Sequence, residues 1–246
     1  EKNPAAAIIN NVKGTHILAD AAQKHGVLKF VMVSTDKAVN PTNVMGASKR
    51  IAEIYIQSLN RFEKCRFITT RFGNVLGSNG SVIPRCTRQI EAGGPITVTH
   101  PEITRFFMTI PEACQLVLEA GSMGEGGEIF IFDMGESVKI VNLAKRMIQL
   151  SGLKLGEDIQ IRFTGLRPGE KLYEELLATK ENTVPTYHPR IMIAKVREYD
   201  FEDINHSINS LLQDIDKADN MDIVKQMKEI VPEFISQNSP YEKLDK

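Results

Sequence analysis

The chain has 246 residues, of which 42% are hydrophobic and 25% charged, and its formal net charge is −1. That composition belongs to a folded globular protein with one large domain or two joined ones, and a near-neutral balance argues against nucleic acid or an anionic membrane surface as partner. The three cysteines, Cys65, Cys86 and Cys114, are odd in number and widely spaced, which argues against a disulfide framework and suits a reducing, cytoplasmic compartment.

"NPAAAIINNVKGTHILADAAQKHG" carries apolar residues at helical spacing and stops at Gly26. "LKFVMVS" is a short Val- and Phe-rich run, the pattern of a strand buried on both faces. Residues 44–62 are helical again, and "CRFITTRFGNV" reads as the next strand. Helices are expected over 82–92, 111–120 and 137–151, with "EIFIFDM" as a strand between the last two. Such alternation implies βαβ units and a parallel sheet. Beyond residue 152 the pattern loosens into two short strands, "IQIRFTG" and "RIMIAKV", and two helices over 200–235. The final stretch, "SQNSPYEKLDK", reads as a frayed tail. No apolar run approaches the roughly 20 residues that span a bilayer.

The expected fold is therefore α/β. Residues 1–75 and 111–151 form the later part of a Rossmann-like parallel sheet. Residues 76–110 and 152–246 form a smaller mixed α/β lobe with C-terminal helices. A dinucleotide-binding sheet begins with strand, glycine-rich turn and helix. The spaced glycines Gly121, Gly124 and Gly127 occur instead between a helix and a strand, the reverse of the order that aims N–H groups at a pyrophosphate. Since the chain opens at Glu1 without an initiator Met and is helical almost at once, it reads as part of a longer protein whose phosphate turn lies upstream. Alone it is expected to be inactive and to bind nicotinamide weakly.

Five stretches, "INNVKGTHILADAA", "VSTDKAVNPTNVMGASKR", "TRFGNVLGSNGSVIP", "ITVTHPEITRFFMTIPEA" and "RPGEKLYEEL", come in the order seen in extended short-chain dehydrogenase/reductases. They resemble in particular the UDP-N-acetylhexosamine 4,6-dehydratases of bacterial polysaccharide biosynthesis. The resemblance covers residues 3–195. It implies NAD or NADP as cofactor, a UDP-sugar substrate, a homo-oligomer, and membrane contact only through upstream segments at the inner face of the cell membrane. Shorter relatives carry Tyr-x-x-x-Lys at the start of the helix that here reads Met-Gly-Ala-Ser-Lys, and the long, membrane-anchored branch resembles this chain in having Met there.

By that resemblance Thr35 hydrogen-bonds the C4 hydroxyl of the sugar, Asp36 is the acid at C6, Lys37 takes the C5 proton, Lys49 holds the nicotinamide ribose and Met45 lines the site. Asn11, Ser34, Gly73 and Asn74 join Lys49 around the cofactor. Asn74 also faces the substrate, with Ser81 and Val82 at a helix start, Arg85, Arg105, Arg167 and Glu170 toward the diphosphate and ribose, and Thr97 and Thr99 toward uracil. Read without the resemblance, Ser-Thr-Asp can also be a turn or helix cap, Met45 is equally core filling, and each arginine is more often a surface residue than a ligand contact. Asp36–Lys37 favours dehydration over epimerisation on the same scaffold, and a non-catalytic fragment stays open. His100 stands where relatives carry Asp, as a surface turn or a substrate contact. His16, His25, His188 and His206 show no metal-ligand spacing, and no metal is expected.

Overall fold

The computed structural model describes residues 1–62, 64–78, 80–175, 183–215 and 217–245. A five-stranded sheet in the order β1-β2-β7-β11-β10 forms its centre. Helical turns α1 (Pro4–Ala7) and α2 (Gly14–Lys24), separated by a π-helical segment Ile8–Lys13, lead into β1 (Lys29–Thr35). The central helix α3 (Val44–Ser58) follows, then β2 (Arg66–Phe72), parallel to β1 with Thr35 opposite Phe72. A short β3 (Asn74–Val75), α4 (Val82–Glu91), β4 (Ile96–Val98), β5 (Thr104–Arg105) and β6 (Phe107–Met108) leave the sheet. The chain returns through α5 (Ile110–Met123) to β7 (Ile129–Phe132), parallel to β2. Next come β8 (Val138–Lys139), α6 (Ile140–Leu150) and β9 (Ile161–Phe163), then the hairpin β10 (Thr183–Pro185) and β11 (Ile191–Ala194), and finally α7 (Phe201–Asp214) and α8 (Asn220–Ile230). None of the described helices is long and apolar enough to cross a membrane.

The parallel strands β1, β2 and β7 realise the expected α/β sheet; Gly121 lies in the last turn of α5, Gly124 caps that helix and Gly127 lies in the connection into β7. The division into lobes falls differently from the expected one. The hairpin β10–β11 pairs antiparallel with β7, where it covers a strand edge otherwise open to pairing. Helices α7 and α8 pack on α3 in the largest core cluster, around Ile51, Tyr55, Ile208 and Met227. Conversely α6 belongs to the small lobe: Ile140, Ala144 and Ile148 recur every four residues and close on Cys86, Ile96 and Ile159. Residues 176–182 of the expected lobe lie outside the described residues.

The C-terminus is not frayed. Ser239 caps a 3-10 turn over Pro240–Leu244, Tyr241 is buried, and its hydroxyl donates to the Glu1 carbonyl oxygen at 2.9 Å. The Ser239 hydroxyl also donates to the Glu1 carboxylate at 2.6 Å. One buried aromatic and paired hydrogen bonds tie the two ends of the chain together.

Twelve of the fifteen residues of α3 are buried, so its polar side chains must find partners inside. Glu53 is fully buried and accepts from Arg71 of β2 at both carboxylate oxygens and from Arg50 at 3.2 Å. Burial alone would push the Glu53 carboxyl up, but the two guanidiniums outweigh it and hold it below the usual range. Arg50 carries the network on to Glu233 at 3.0 Å and to the Tyr199 hydroxyl at 3.3 Å. Removing one member leaves a buried charge without its partner. Glu53→Ala is expected to lower the unfolding free energy by roughly 3–5 kcal/mol in urea denaturation. A loss no larger than that of an exposed Glu→Ala control would show that the triad does not hold α3 to the sheet.

Candidate active site

The carboxyl end of β1 turns sharply at Asp36–Ala38, with the Thr35 hydroxyl accepting from the Lys37 N–H. Helix α3 starts directly against this turn, its N-terminus capped by the Asn43 side chain accepting from the Gly46 N–H at 2.8 Å. A Cβ at position 46 would lie 2.2 Å from the Lys37 carbonyl oxygen, so glycine is what permits the contact. Gly73, just past β2, is similarly confined, its would-be Cβ 3.1 Å from Asp36 Oδ2.

At this junction lies a cavity of about 540 Å³ between the sheet and the small lobe. Thr35, Lys37, Met45, Gly73 and Asn74 line the sheet side. Ser81, Val82, Arg85, Thr97 and Thr99 line the lobe side, and Arg105, Arg167 and Glu170 complete the wall. Thirteen of the seventeen residues singled out in the sequence therefore face one space. Met45 is 41% exposed and is a wall residue, not core filling.

Four of the seventeen stand elsewhere. Asp36 is fully buried beneath the wall; its Oδ1 accepts from the Thr35 hydroxyl and from Lys37 Nζ, both at 2.8 Å, while its Oδ2 has no partner. Asp36 thus meets the cavity only through Thr35 and Lys37. Lys49 Nζ lies 3.5 Å from the Val33 carbonyl oxygen at the β1 edge; burial lowers its pKa against the opposing pull of Glu53. Ser34 is buried next to Thr35, and its side chain turns toward Glu53, whose carboxyl pKa it helps to lower. Asn11, in the π-helical segment, donates to Ser48 Oγ at 2.9 Å, which donates to the Met45 carbonyl at 2.8 Å. It buttresses the first turn of α3.

The arginines differ in what they meet. Arg105 reaches Glu170 at 3.5 Å, Glu174 at 3.6 Å and the Lys171 carbonyl at 3.0 Å. Arg85 donates to Thr97 Oγ1 at 2.6 Å. His100 is part of a turn: its Nδ1 accepts from the Glu102 N–H at 3.1 Å, the role an Asp carboxylate performs in such a turn, and it does not line the cavity.

Two residues were not visible in the sequence as site members. Glu174 approaches Lys37 at 3.8 Å and Arg105 at 3.6 Å, with its Oε2 buried and without a hydrogen-bond partner among the described residues. Burial raises its pKa; Lys37, Arg105 and Lys171 oppose this and the charge of Asp36 reinforces it. Gln89 binds Thr97 through both ends of its amide. Glu174 lies within the "RPGEKLYEEL" stretch, but nothing in its spacing marks it as a site member.

A parallel sheet with a substrate-sized cavity at the carboxyl ends of its strands, closed by a small lobe, is the architecture of the extended short-chain dehydrogenase/reductases. A sequence profile described as "Polysaccharide biosynthesis protein" matches residues 1–196, and the chain belongs to that family. It is 56% identical over 218 residues to the capsular polysaccharide biosynthesis protein CapD of Staphylococcus aureus, covering 88% of this chain and 36% of that protein. It is 42% identical over 184 residues to a UDP-glucose 4-epimerase of Rickettsia canadensis, covering 72% and 52%. The chain thus spans between about a third and a half of these relatives' lengths. Among solved structures, Pen from Bacillus thuringiensis superposes with a TM-score of 0.73 at 37% identity, covering 81% of this chain and 62% of that one. A dTDP-glucose 4,6-dehydratase from Streptomyces venezuelae shares the fold at a TM-score of 0.61 and 20% identity, covering 68% and 56%.

A group with a raised folded-state pKa contributes stability that is complete below its unfolded value and is lost as pH rises through the folded one. Glu174→Gln, which mimics the protonated form, is therefore expected to melt higher than the unmodified chain at pH 7–8 and to converge with it toward pH 4. Melting curves across that range test this; a variant that melts lower at pH 8 would show that Glu174 serves as an ionised partner of Lys37.

Proposed function

We propose that the protein catalyses the NAD(P)-dependent 4,6-dehydration of a UDP-N-acetylhexosamine, yielding a 4-keto-6-deoxy sugar nucleotide for polysaccharide biosynthesis. The observation that carries this reading is the Thr35–Asp36–Lys37 unit. A fully buried carboxylate is joined at one oxygen to two side chains that both open onto the cavity.

The nicotinamide end of a dinucleotide fits the residues present. The Lys49 ammonium lies at the β1 edge, and Asn74 lines the cavity. Lys49 and Asn74 would hold that end, which when bound supplies the hydride acceptor for C4 and the donor for C6, while Ser34 stays beneath them. Thr35 positions the C4 hydroxyl: its own proton is committed to Asp36, so its oxygen accepts from the sugar and the proton passes inward as C4 is oxidised. The 4-ketone acidifies the C5 hydrogen. Lys37, like Thr35, touches both the cavity and Asp36, so the protons travel through one unit. Two protons enter it, from the C4 hydroxyl and from C5, and two leave it, one with the C6 hydroxyl as water and one back to C5 as the hydride reaches C6, so the unit ends in the charge state in which it began. Met45 carries no proton and shapes the wall. Arg85, Arg105 and Arg167 suit the diphosphate, since guanidinium meets phosphate oxygens in a fixed fork.

The alternative is a UDP-sugar 4-epimerase, supported by the 42% identity to the Rickettsia enzyme so named. It needs no proton transfer at C5 and C6. The two differ in product: a 4-keto-6-deoxy sugar in one case, the C4 epimer in the other. Asp36→Asn and Lys37→Met are each expected to cost at least about a hundredfold in turnover, while Met45→Leu costs little. The measurement is 4-keto sugar formation by purified active enzyme under matched nicotinamide. Should Met45→Leu prove as damaging as Lys37→Met, or Lys37→Met be nearly silent, the proton route is wrong. Formation of the C4 epimer alone would select the epimerase.

A further inference from the structure

Stretches far apart in sequence meet behind the cavity wall that carries Arg167 and Glu170. The turn over residues 167–170 closes on itself: the Glu170 N–H donates to the Arg167 carbonyl and the Arg167 N–H to the Glu170 carboxylate, both at 3.0 Å. Gly169 at its tip is buried against the loop from β1 to α3. There Thr42 Oγ1 and Asn43 Nδ2 both donate to the Gly169 carbonyl oxygen, at 3.0 and 2.9 Å. One residue on, the buried Lys171 ammonium donates to the Val39 carbonyl at 3.1 Å. The C-terminal segment 235–238 then bridges loop and turn. The Gln237 carbonyl accepts from the Gly169 N–H at 2.7 Å, and the Gln237 N–H donates to the Thr42 carbonyl at 3.2 Å. On either side, the Ile235 N–H donates to the Pro41 carbonyl at 3.1 Å and Asn238 Nδ2 to the Leu166 carbonyl at 3.0 Å. The fit is close. Gly169 has a φ of +76°, and a Cβ there would lie 2.4 Å from the Asn43 Cβ, so glycine is what lets the turn seat.

We propose that loop 39–43 and segment 235–238 form a dock for the 167–170 turn, with Asn43 as a positioning residue, and that the C-terminal segment thereby governs how tightly the cavity holds a nucleoside diphosphate. None of residues 235–238 lines the cavity, and they lie beyond the stretch that matches the family, residues 1–196. The inference rests on the UDP-sugar reading above, which sets Arg167 toward the diphosphate. Arg167 is itself exposed, so its place depends on the backbone that carries it. Glu170, on the same turn, accepts from the Thr99 hydroxyl at 3.2 Å and from Arg105 at 3.5 Å, so a shift of the turn also disturbs the wall facing it. A turn docked only part of the time binds more weakly in proportion to that fraction. Asn43 acts in two directions. Its Oδ1 caps α3, whose first turn carries Met45, and its Nδ2 holds Gly169. One side chain therefore sets the helix start and the turn relative to each other.

The test combines amide hydrogen exchange with calorimetric titration of UDP into this chain. Asn43→Ser separates the two roles, since serine caps a helix as well as asparagine does but has no N–H to give Gly169. Thr42→Val added to it strips both donors from a buried carbonyl, which makes the docked state costly. Asn238→Gly removes the bond to Leu166 and keeps the positive φ of that position. In the double variant, amides of residues 166–170 are expected to exchange at least about tenfold faster while the first turn of α3 stays protected. UDP is expected to bind it at least about fivefold more weakly. Asn43→Ser and Asn238→Gly should move both readouts in the same direction by less, and they decide the matter if the double variant does not fold by its melting curve. Unchanged exchange in the folded variants overturns the dock. Faster exchange with UDP affinity unchanged, or exchange that rises equally in α3, overturns the positioning role and leaves the UDP-sugar reading standing. Failure of the unmodified chain to bind UDP overturns both.

Discussion

Everything about the site depends on how closely the first turn of α3 sits on the turn that ends β1. The Lys37 carbonyl occupies the volume a side chain at position 46 would need. Because Gly46 has none, Met45 and the Asp36–Lys37 pair are brought to one wall, and Asp36 is sealed beneath it. The Asn43 cap and the Asn11–Ser48–Met45 chain of hydrogen bonds hold the same turn from its other sides. Behind it, Glu53 between Arg71 and Arg50 fixes α3 to β2. The stability of the helix and the geometry of the cavity are therefore one problem, solved by a single helix that is buried nearly all round.

The electrostatic design follows from that burial. A carboxylate with no exposed surface must be paired, and Asp36 is paired through one oxygen only, which leaves a second, unpartnered oxygen close to Gly73. Glu174 brings another carboxyl, whose Oε2 has no hydrogen-bond partner among the described residues, to the opposite side of Lys37. Burial raises the Glu174 pKa, and the charge of Asp36 adds to this against the pull of Lys37, Arg105 and Lys171. A methionine in place of a phenol is compatible with this arrangement, since the Thr35–Asp36 contact already offers a route for a proton away from the cavity wall.

Much of the site was legible in the sequence because its residues fall in short motifs that resemble a known family. Thr35, Lys37, Gly73, Asn74 and the lobe-side Ser81, Arg85, Thr97 and Thr99 line one cavity, as that resemblance implied. Gln89 and Glu174 were not legible. Each acts through a neighbour it meets only after folding, and a lone Gln on a helix or a Glu in an acidic run looks like any solvated residue.

The sequence by itself determined the main periodicities, that three parallel strands alternate with helices and which long stretches are helical, while the short strands β4, β5, β6, β8 and β10 left too brief a pattern to read. An apolar stripe says that a face must be buried but not against what. Only the tertiary structure decided that α6 closes the small lobe, that the "RIMIAKV" strand caps the main sheet, and that α7 and α8 cover α3. It also decided that the polar C-terminal stretch is ordered, because Tyr241 and Ser239 find Glu1 at the far end of the chain. The physical reason is the same in each case: contacts between residues far apart in sequence leave no local signature, yet they settle which of several compatible partners each surface takes.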